Sequence, residues 1–551
     1  MEEDIDPVDR AIKKYSSHPS ILSIRKNVQI STGFCFSRTD ESQITDIVNK
    51  LNKKKKGMSS SIPTDILKMS IHVVASDLAI IWNNEIVSNG IFPNKLKLAD
   101  ITPVHKKLEK TFKANYRNVS ILPSVSKVFE KLMGMQIGAY MDQYLSKFLC
   151  GFRKGYNTQH ALITLIEKWK KFLGKKGYAG VVLLDLSKAF GTVNHELLIA
   201  KLQTYGFDMQ SLKTVMSYLS NRLQRVKINT NYSTWSEILA GVPQGSVLGP
   251  LLFNLYDLFF ELQYTDPCNF ADDTWPSACD MSLRNVLWKL EIDTLSTITG
   301  CESNYMKINA DKFKLLLMGV RNQLHHIKIG KEIIWESKSV KLLGVDIYND
   351  LSFDNHVKEI YRKANRKLSA LRRVSRYAEV SKKRVLFKSF IESQFTYCPL
   401  IWMFHSRQLN NKINQLHERA LRIVYKNYEL SFEELLFIDG SFCVHHRNIH
   451  AVAIEMYKQY HKMSSEITIE IFDMKNPDED HFDVFKKTRS RTVAYGDQSL
   501  KNFGPEIWNI VPGDIKGSSS LKKFKDKIKE WKPVNCPCRL CKIFVKGVGF
   551  I

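Results

Sequence analysis

Cys268-Asn-Phe-Ala-Asp-Asp-Thr274 sets two adjacent carboxylates, Asp272 and Asp273, directly behind a pair of apolar and small residues. The pattern reads as a tight hairpin with both acids at its turn. Neighbouring carboxylates in a half-buried turn repel one another and are costly to desolvate. Divalent cations relieve that cost, and nucleotidyl transfer uses two of them, about 3.5–4 Å apart, to stabilise the attacking and leaving oxygens. Taken alone, however, an Asp-Asp pair reads better as an ordinary turn or N-cap pair.

Upstream context changes that weighting. Gly241-Val-Pro-Gln-Gly-Ser-Val-Leu-Gly-Pro250 is dense in turn residues and opens an apolar helix over Leu251–Leu262. Its glycines let backbone N–H groups and Gln244 come close to a sugar or base. Further upstream, Gly180-Val-Val-Leu-Leu-Asp185 reads as a buried strand with a carboxylate at its exit. Before it, Ala161, Leu162, Leu165, Ile166, Trp169, Phe172 and Leu173 share one face of a helix predicted over Thr158–Leu173, which Gly174 stops. After it, Asn194 caps a helix that turns Leu197, Leu198 and Leu202 inward. A lone acid, a glycine-rich loop and an acid pair therefore follow one another along a chain of alternating strands and helices, as in a mixed α/β or α+β domain.

Charge narrows the partners. The 551 residues hold 81 Lys plus Arg against 56 Asp plus Glu, a formal net charge of +25. Such a surplus attracts polyanions, either nucleic acid or an acidic membrane surface. The acidic start, Met1-Glu-Glu-Asp4, is no signal peptide. Apolar runs such as Ile71–Trp82 fall short of a spanning helix. The ten cysteines are mostly scattered singly, which suits a reducing compartment. An intracellular, non-secreted protein of the nucleus or cytoplasm is expected, with no membrane partner. No sequence feature sets an oligomeric state.

Residues 1–61 are polar, include the lysine run 53–56, and read as an N-terminal extension or linker. Downstream, Val357, Ile360, Tyr361, Ala364, Leu368, Leu371 and Val374 predict a helix within His356–Tyr377, with arginines and lysines on its other faces. Lys412–Tyr425 repeats the pattern with Ile413, Leu416, Ala420, Leu421 and Val424 inward. Basic helices of this kind can track the phosphates of a duplex. At the C-terminus, Cys536, Cys538 and Cys541 have metal-ligand spacing but lack a fourth ligand nearby, so three reduced thiols are favoured over a structural Zn²⁺ completed by Cys443 or His445.

The order Asn115-Tyr-Arg117, Gly151-Phe-Arg-Lys-Gly155, Leu184-Asp-Leu-Ser-Lys-Ala-Phe190, Gly241-Val-Pro-Gln-Gly-Ser246, Phe270-Ala-Asp-Asp-Thr274, Ile308-Asn-Ala-Asp-Lys312 and Leu343-Gly-Val345 resembles the successive motifs of reverse transcriptases, most closely those of jockey-like non-LTR retrotransposons. The resemblance runs from about His18 to the C-terminus. It implies an α+β right-hand polymerase: fingers and a palm with an antiparallel sheet over 62–345, a helical thumb or connection over 346–450, and a basic C-terminal region with the Cys cluster over 451–551. The implied activity is RNA-directed DNA synthesis from an RNA template, a DNA primer and dNTPs.

Position by position, the resemblance makes Asp185, Asp272 and Asp273 the catalytic ligands of two Mg²⁺ ions, with Mn²⁺ as a substitute. Lys106 and Arg117 would grip the triphosphate, and Gln244 would pack beside the nucleotide sugar. Phe190 would be the steric gate that leaves no room for a ribose 2′-OH, and Lys312 would donate a proton to pyrophosphate. Phe190 and the Ala-Asp-Asp core argue against an RNA-directed RNA polymerase. Departures are also present. Gly191 stands where the family has a second Asp, Asn118 where Pro is usual, Trp275 where a small polar residue is expected and Cys301 where Trp is common. The helix after Pro250 reads two residues short. With no room for the endonuclease domain of full-length elements, these features suggest a truncated, decaying copy. The alternative reading is accordingly a catalytically inactive nucleic-acid-binding remnant.

Overall fold

The strand that ends in Asp185 sits between two apolar layers, and its sequence states why. The computed structural model describes residues 6–52, 57–106, 109–186, 189–256, 262–321, 324–475, 484–487, 490 and 492–533. Its strands include β1 (Leu98–His105), β2 (Tyr116–Ile121), β3 (Tyr178–Asp185), β4 (Arg222–Ile228), β5 (Asn231–Tyr232), β6 (Ser236–Ile238), β7 (Asn269–Phe270), β8 (Asp273–Thr274), β9 (Ser277–Asp280) and β10 (Lys314–Met318). One five-stranded sheet has the order β2-β1-β4-β5, with β6 also on β4. The other has the order β10-β3-β8-β7, with β9 also on β3, and every pairing in it is antiparallel.

Alternate residues of a strand face opposite ways. Ala179 and Val181 of β3 accordingly join a core with Ala161, Leu165 and Trp169, whereas Val182 and Leu184 join one with Val286 and Leu290. Each such fully buried Val or Leu side chain contributes on the order of 1.5–3 kcal/mol. Gly180 faces the second layer, where an added Cβ would lie 2.8 Å from Leu290 and 2.9 Å from Leu317. A side chain there would crowd Leu290, Leu317 and Val286 and force them to repack.

The predicted helix over Thr158–Leu173 forms with those bounds, and Asn157 caps it by accepting from the His160 N–H at 2.9 Å. Asn194 caps His195–Thr204 as the sequence indicates, with Leu197, Leu198 and Leu202 buried. The helix after the glycine-rich loop spans Gly249–Tyr256, and residues 257–261 lie outside the described part. Arg407–Tyr425 buries all five of its predicted inward residues. Asp354–Val374 buries Val357, Ile360, Ala364, Leu368 and Leu371, but Val374 at its last turn is exposed.

Within the expected N-terminal extension or linker, helices Pro7–Lys14, Pro19–Asn27 and Glu41–Asn49 bury Val8, Ala11, Ile21, Ile24, Ile44, Ile47 and Val48 in the same core as Leu197 and Leu198. Each helix carries a narrow apolar stripe that a polar average hides. At the other end, a boundary at residue 450 falls inside the Val444–Tyr460 helix, which packs with Leu500–Ile510 in the core shared by Trp169. Cys536, Cys538 and Cys541 lie outside the described residues. Among the described residues, no helix is long and apolar enough to cross a membrane.

Candidate active site

Strand pairing brings the lone acid and the acid pair together. Asp185, the last residue of β3, is the register partner of Asp273, the first residue of β8. Phe270 pairs with Asp273, so Ala271 and Asp272 form a two-residue turn between β7 and β8. Ala271 has φ +60°, the sign that hairpin turns of this length require at their first central position. A non-glycine residue bears that strain only where its surroundings hold it. Those surroundings come from the Gly151 segment. The Cys150 N–H donates to the Asn269 carbonyl at 2.8 Å, and the Asn269 N–H donates to the Phe148 carbonyl at 3.2 Å. An added Cβ on Gly151 would lie 2.2 Å from the Ala271 nitrogen, so only glycine fits behind the acid turn. Asn254 fixes the same segment by donating from Nδ2 to the Gly151 carbonyl at 2.8 Å.

The two neighbouring acids are not equivalent. Asp272 is exposed at the turn, while Asp273 is half-buried. Burial, then the charges of Asp272 and Asp185, push the Asp273 carboxyl up to about 6. Asp185 instead has a cation beside it, with Lys312 Nζ 2.6 Å from its Oδ2. The segment bearing Lys312 is tied to β3 by the Asn309 N–H, which donates to the Asp185 carbonyl at 3.0 Å. Among the described residues, no three His, Cys, Asp or Glu side chains are gathered as a finished metal cage. What is gathered is a set of hard carboxylate oxygens at one sheet end, the donor type that suits Mg²⁺ or Mn²⁺.

Phe190 lies half-buried beyond the strand exit, stacked on Phe253 at a centroid distance of 4.6 Å and edge-on to Phe152 at 5.9 Å. The glycine-rich loop is sewn onto this segment. Val242 N–H donates to the Phe190 carbonyl and Gly241 N–H to the Val193 carbonyl, both at 2.8 Å. His195 Nε2 donates to the Gly241 carbonyl at 2.7 Å. Gly241 has φ +85°, and a Cβ there would lie 2.6 Å from the Gly191 Cα. The Gln244 carbonyl accepts from the Ser120 N–H of β2 at 2.7 Å. Arg117 is exposed on that same strand, and Lys106, also exposed, follows the end of β1, its partner. Asp185, Asp273 and Lys312 are thus joined directly, and Phe190 and Gln244 through the loop. No contact among the described residues joins the side chains of Lys106 or Arg117 to the acids.

Two of the departures are accommodated locally. Nothing lies within 4 Å of a Cβ built on Gly191. Trp275 is 2 % exposed and belongs to the core around Trp169.

Two supporting residues escape a reading of the sequence. Asn254, 2 % exposed within an otherwise apolar helix, and Asp293, fully buried, both serve distant backbone. Asp293 accepts from the N–H groups of Gln263, Tyr264 and Thr265 at 3.1, 2.9 and 2.6 Å. The one available signal was a polar residue on an apolar helix face, which must find a partner when buried.

Residues 104–347 match the family model described as reverse transcriptase (RNA-dependent DNA polymerase). Three curated Drosophila melanogaster proteins are similar. The probable RNA-directed DNA polymerase from transposon BS is 27% identical over 68% of this chain and 43% of its own. That from transposon X-element is 29% identical over 62% of this chain and 39% of its own. The RNA-directed DNA polymerase from mobile element jockey is 26% identical over 69% of this chain and 43% of its own. The chain thus spans about two-fifths of the length of these relatives.

Proposed function

We propose that residues 104–347, which match the reverse transcriptase family model, make the chain the RNA-directed DNA polymerase of a non-LTR retrotransposon. The observation that carries this reading is the register pairing of Asp185 with Asp273, with Asp272 in the adjoining turn. We assign residues 62–345 to fingers and palm and the helices that follow to a thumb. The partners are an RNA template, a DNA primer and dNTPs.

Asp185, Asp272 and Asp273 would hold two divalent cations, which when bound would activate the attacking oxygen and neutralise the leaving pyrophosphate. The remaining roles belong to the chain itself. Arg117 and Lys106 supply positive charge for the triphosphate, Arg117 with the planar fork that suits phosphate oxygens. Phe190, braced by Phe253 and Phe152, presents a ring edge that excludes a ribose 2′-OH by clash. Gln244 lines the sugar side, its backbone tied to the strand that carries Arg117. Lys312 holds Asp185 before substrate arrives and is the candidate proton donor to pyrophosphate. The in-line attack of a primer 3′-OH on the α-phosphate then needs mainly positioning and charge.

Primer extension on an RNA template annealed to a DNA primer, with Mg²⁺ and dNTPs, tests this reading. Extension should disappear in Asp272→Ala and fail with NTPs. Salt-sensitive binding of the same duplex without any extension would instead identify a binding protein that has lost catalysis.

A further inference from the structure

Glu130 is a fully buried carboxylate on the Ser124–Met141 helix, among the buried side chains of Val128, Phe129, Leu132 and Met133. An ionisable group in such surroundings is costly unless its oxygens are used. Both are. Oε2 accepts from the Val247 N–H at 2.6 Å and from the Leu248 N–H at 3.4 Å, and Oε1 accepts from the Ser126 hydroxyl at 3.1 Å. Burial pushes the Glu130 carboxyl upward, while the buried Arg222 guanidinium and the two loop N–H groups favour its charged form. Val247 and Leu248 lead into the Gly249–Tyr256 helix, where N–H groups have no partner within the helix.

We propose that Glu130 is the positioning residue of the nucleotide site, holding the 241–250 loop against β2 so that Gln244 and Arg117 engage the incoming dNTP as one unit. The proposal rests on the polymerase reading and deepens it. Gln244 lies between two anchorages of its loop, Val242 on the Phe190 carbonyl and Val247 on Glu130. Its own carbonyl holds Ser120 of β2, and Gly245 runs so close that an added Cβ would lie 2.7 Å from the Ser120 carbonyl oxygen. Ser120 is three residues from Arg117, and Glu130 sits on the helix that follows the same strand. With the Glu130 anchorage removed, the loop keeps its ties at Phe190 and Ser120 but loses the hold on Val247 and Leu248, which loosens the seat of Gln244 on β2.

Steady-state extension on an RNA–DNA template–primer tests this with Glu130→Ala, Glu130→Gln, Gln244→Ala and the Ala–Ala double variant. Glu130→Ala should raise the dNTP KM about tenfold or more with a smaller change in kcat, since displacement of a positioning contact by about 1 Å costs that much or more. Glu130→Gln keeps one acceptor oxygen and should fall between. Duplex binding should stay within about twofold of wild type, and the double variant should be no worse than Gln244→Ala alone. Additive losses, a wild-type KM, or a loss that merely follows the folded fraction would overturn the proposal. Amide hydrogen exchange at Val247 and Leu248 gives an activity-independent readout. Faster exchange in Glu130→Ala supports the clamp even if wild type extends nothing, in which case the polymerase reading alone fails. Unchanged protection of both amides removes the clamp.

Discussion

Replacing Asp273 with Asn should make the metal-free protein more stable and its metal response weaker. The Asp273 carboxyl is raised from 3.8 to about 6 by burial and by the charges of Asp272 and Asp185. An acid whose folded value exceeds its unfolded one favours the protonated folded state, so ionisation destabilises the fold. The penalty is absent below the unfolded value, grows as pH rises past 3.8 and is complete above about 6. A shift of about 2 units corresponds to about 3 kcal/mol as a ceiling. Solvent screening at a half-buried turn reduces this to about 1–2 kcal/mol at pH 8. At pH 5 the folded carboxyl is mostly protonated, and about half of the difference should remain. Thermal unfolding at pH 5 and pH 8 without divalent cations, repeated at pH 8 with Mg²⁺, reads both effects. Asp273→Asn should unfold at a higher temperature than wild type at pH 8, with a smaller margin at pH 5. Added Mg²⁺ should raise wild type by ligand linkage and the variant less. A variant equal to or less stable than wild type at pH 8, or a margin independent of pH, would refute the electrostatic argument.

Further outcomes follow from the same geometry. Phe190→Val should lower discrimination between dNTPs and rNTPs by about tenfold or more, read as the ratio of kcat/KM values, because the excluding ring is gone. Unchanged discrimination would make Phe190 a packing residue for Phe253 only. Gly151→Ala should displace the Ala271 turn, whose nitrogen would lie 2.2 Å from the new Cβ. It should cost about 1–3 kcal/mol of stability and abolish most extension; wild-type extension would show that the turn yields freely. Lys312→Met should free the Asp185 carboxylate, and at about 0.5–1 kcal/mol for an exposed pair the Mg²⁺ midpoint in thermal-shift titration should fall about two- to fivefold. An unchanged or higher midpoint would show that Lys312 does not compete for Asp185.

The central sheet and its acids were legible because their signals are local. A short, β-branched apolar run that ends in Asp185 reads as a covered strand, and two acids behind Phe270-Ala271 read as a hairpin turn. The inequality of those acids was not legible. Asp272 and Asp273 look alike in the chain, and only the pairing of Asp273 with Asp185 half-buries one and leaves the other in solvent. Lys312 was expected near the site by resemblance alone; its pairing with Asp185 was not legible, because that partner lies 127 residues upstream. Glu130 is hidden for the same reason, since it serves amides 117 and 118 residues away. The N-terminal helices were missed because their buried residues are few and spaced by helical turns, whereas composition is averaged over every face.

The departures at Gly191 and Trp275 bear on catalysis only if they disturb the acids, and their surroundings argue that they do not. Trp275 lies one residue beyond β8, but its ring is sealed in the core, and its backbone pairs with Cys268 in both directions, at 3.1 and 3.3 Å. A bulky ring there fills core volume beneath the hairpin and leaves the turn itself unobstructed. Gly191 and Gly241 meet backbone to backbone, yet the meeting is one-sided. A side chain on Gly241 would strike Gly191, while one on Gly191 would enter open space. The close approach that sews the loop to the Phe190 segment therefore depends on Gly241, which is kept. Losing an Asp at 191 removes no support from it. The helix that follows still has its cap in Asn194, whose side chain accepts from the Leu197 N–H at 2.9 Å. The elements that hold Asp185, Phe190 and the loop are thus carried by residues other than Gly191 and Trp275, so neither of these two departures argues against the proposed site.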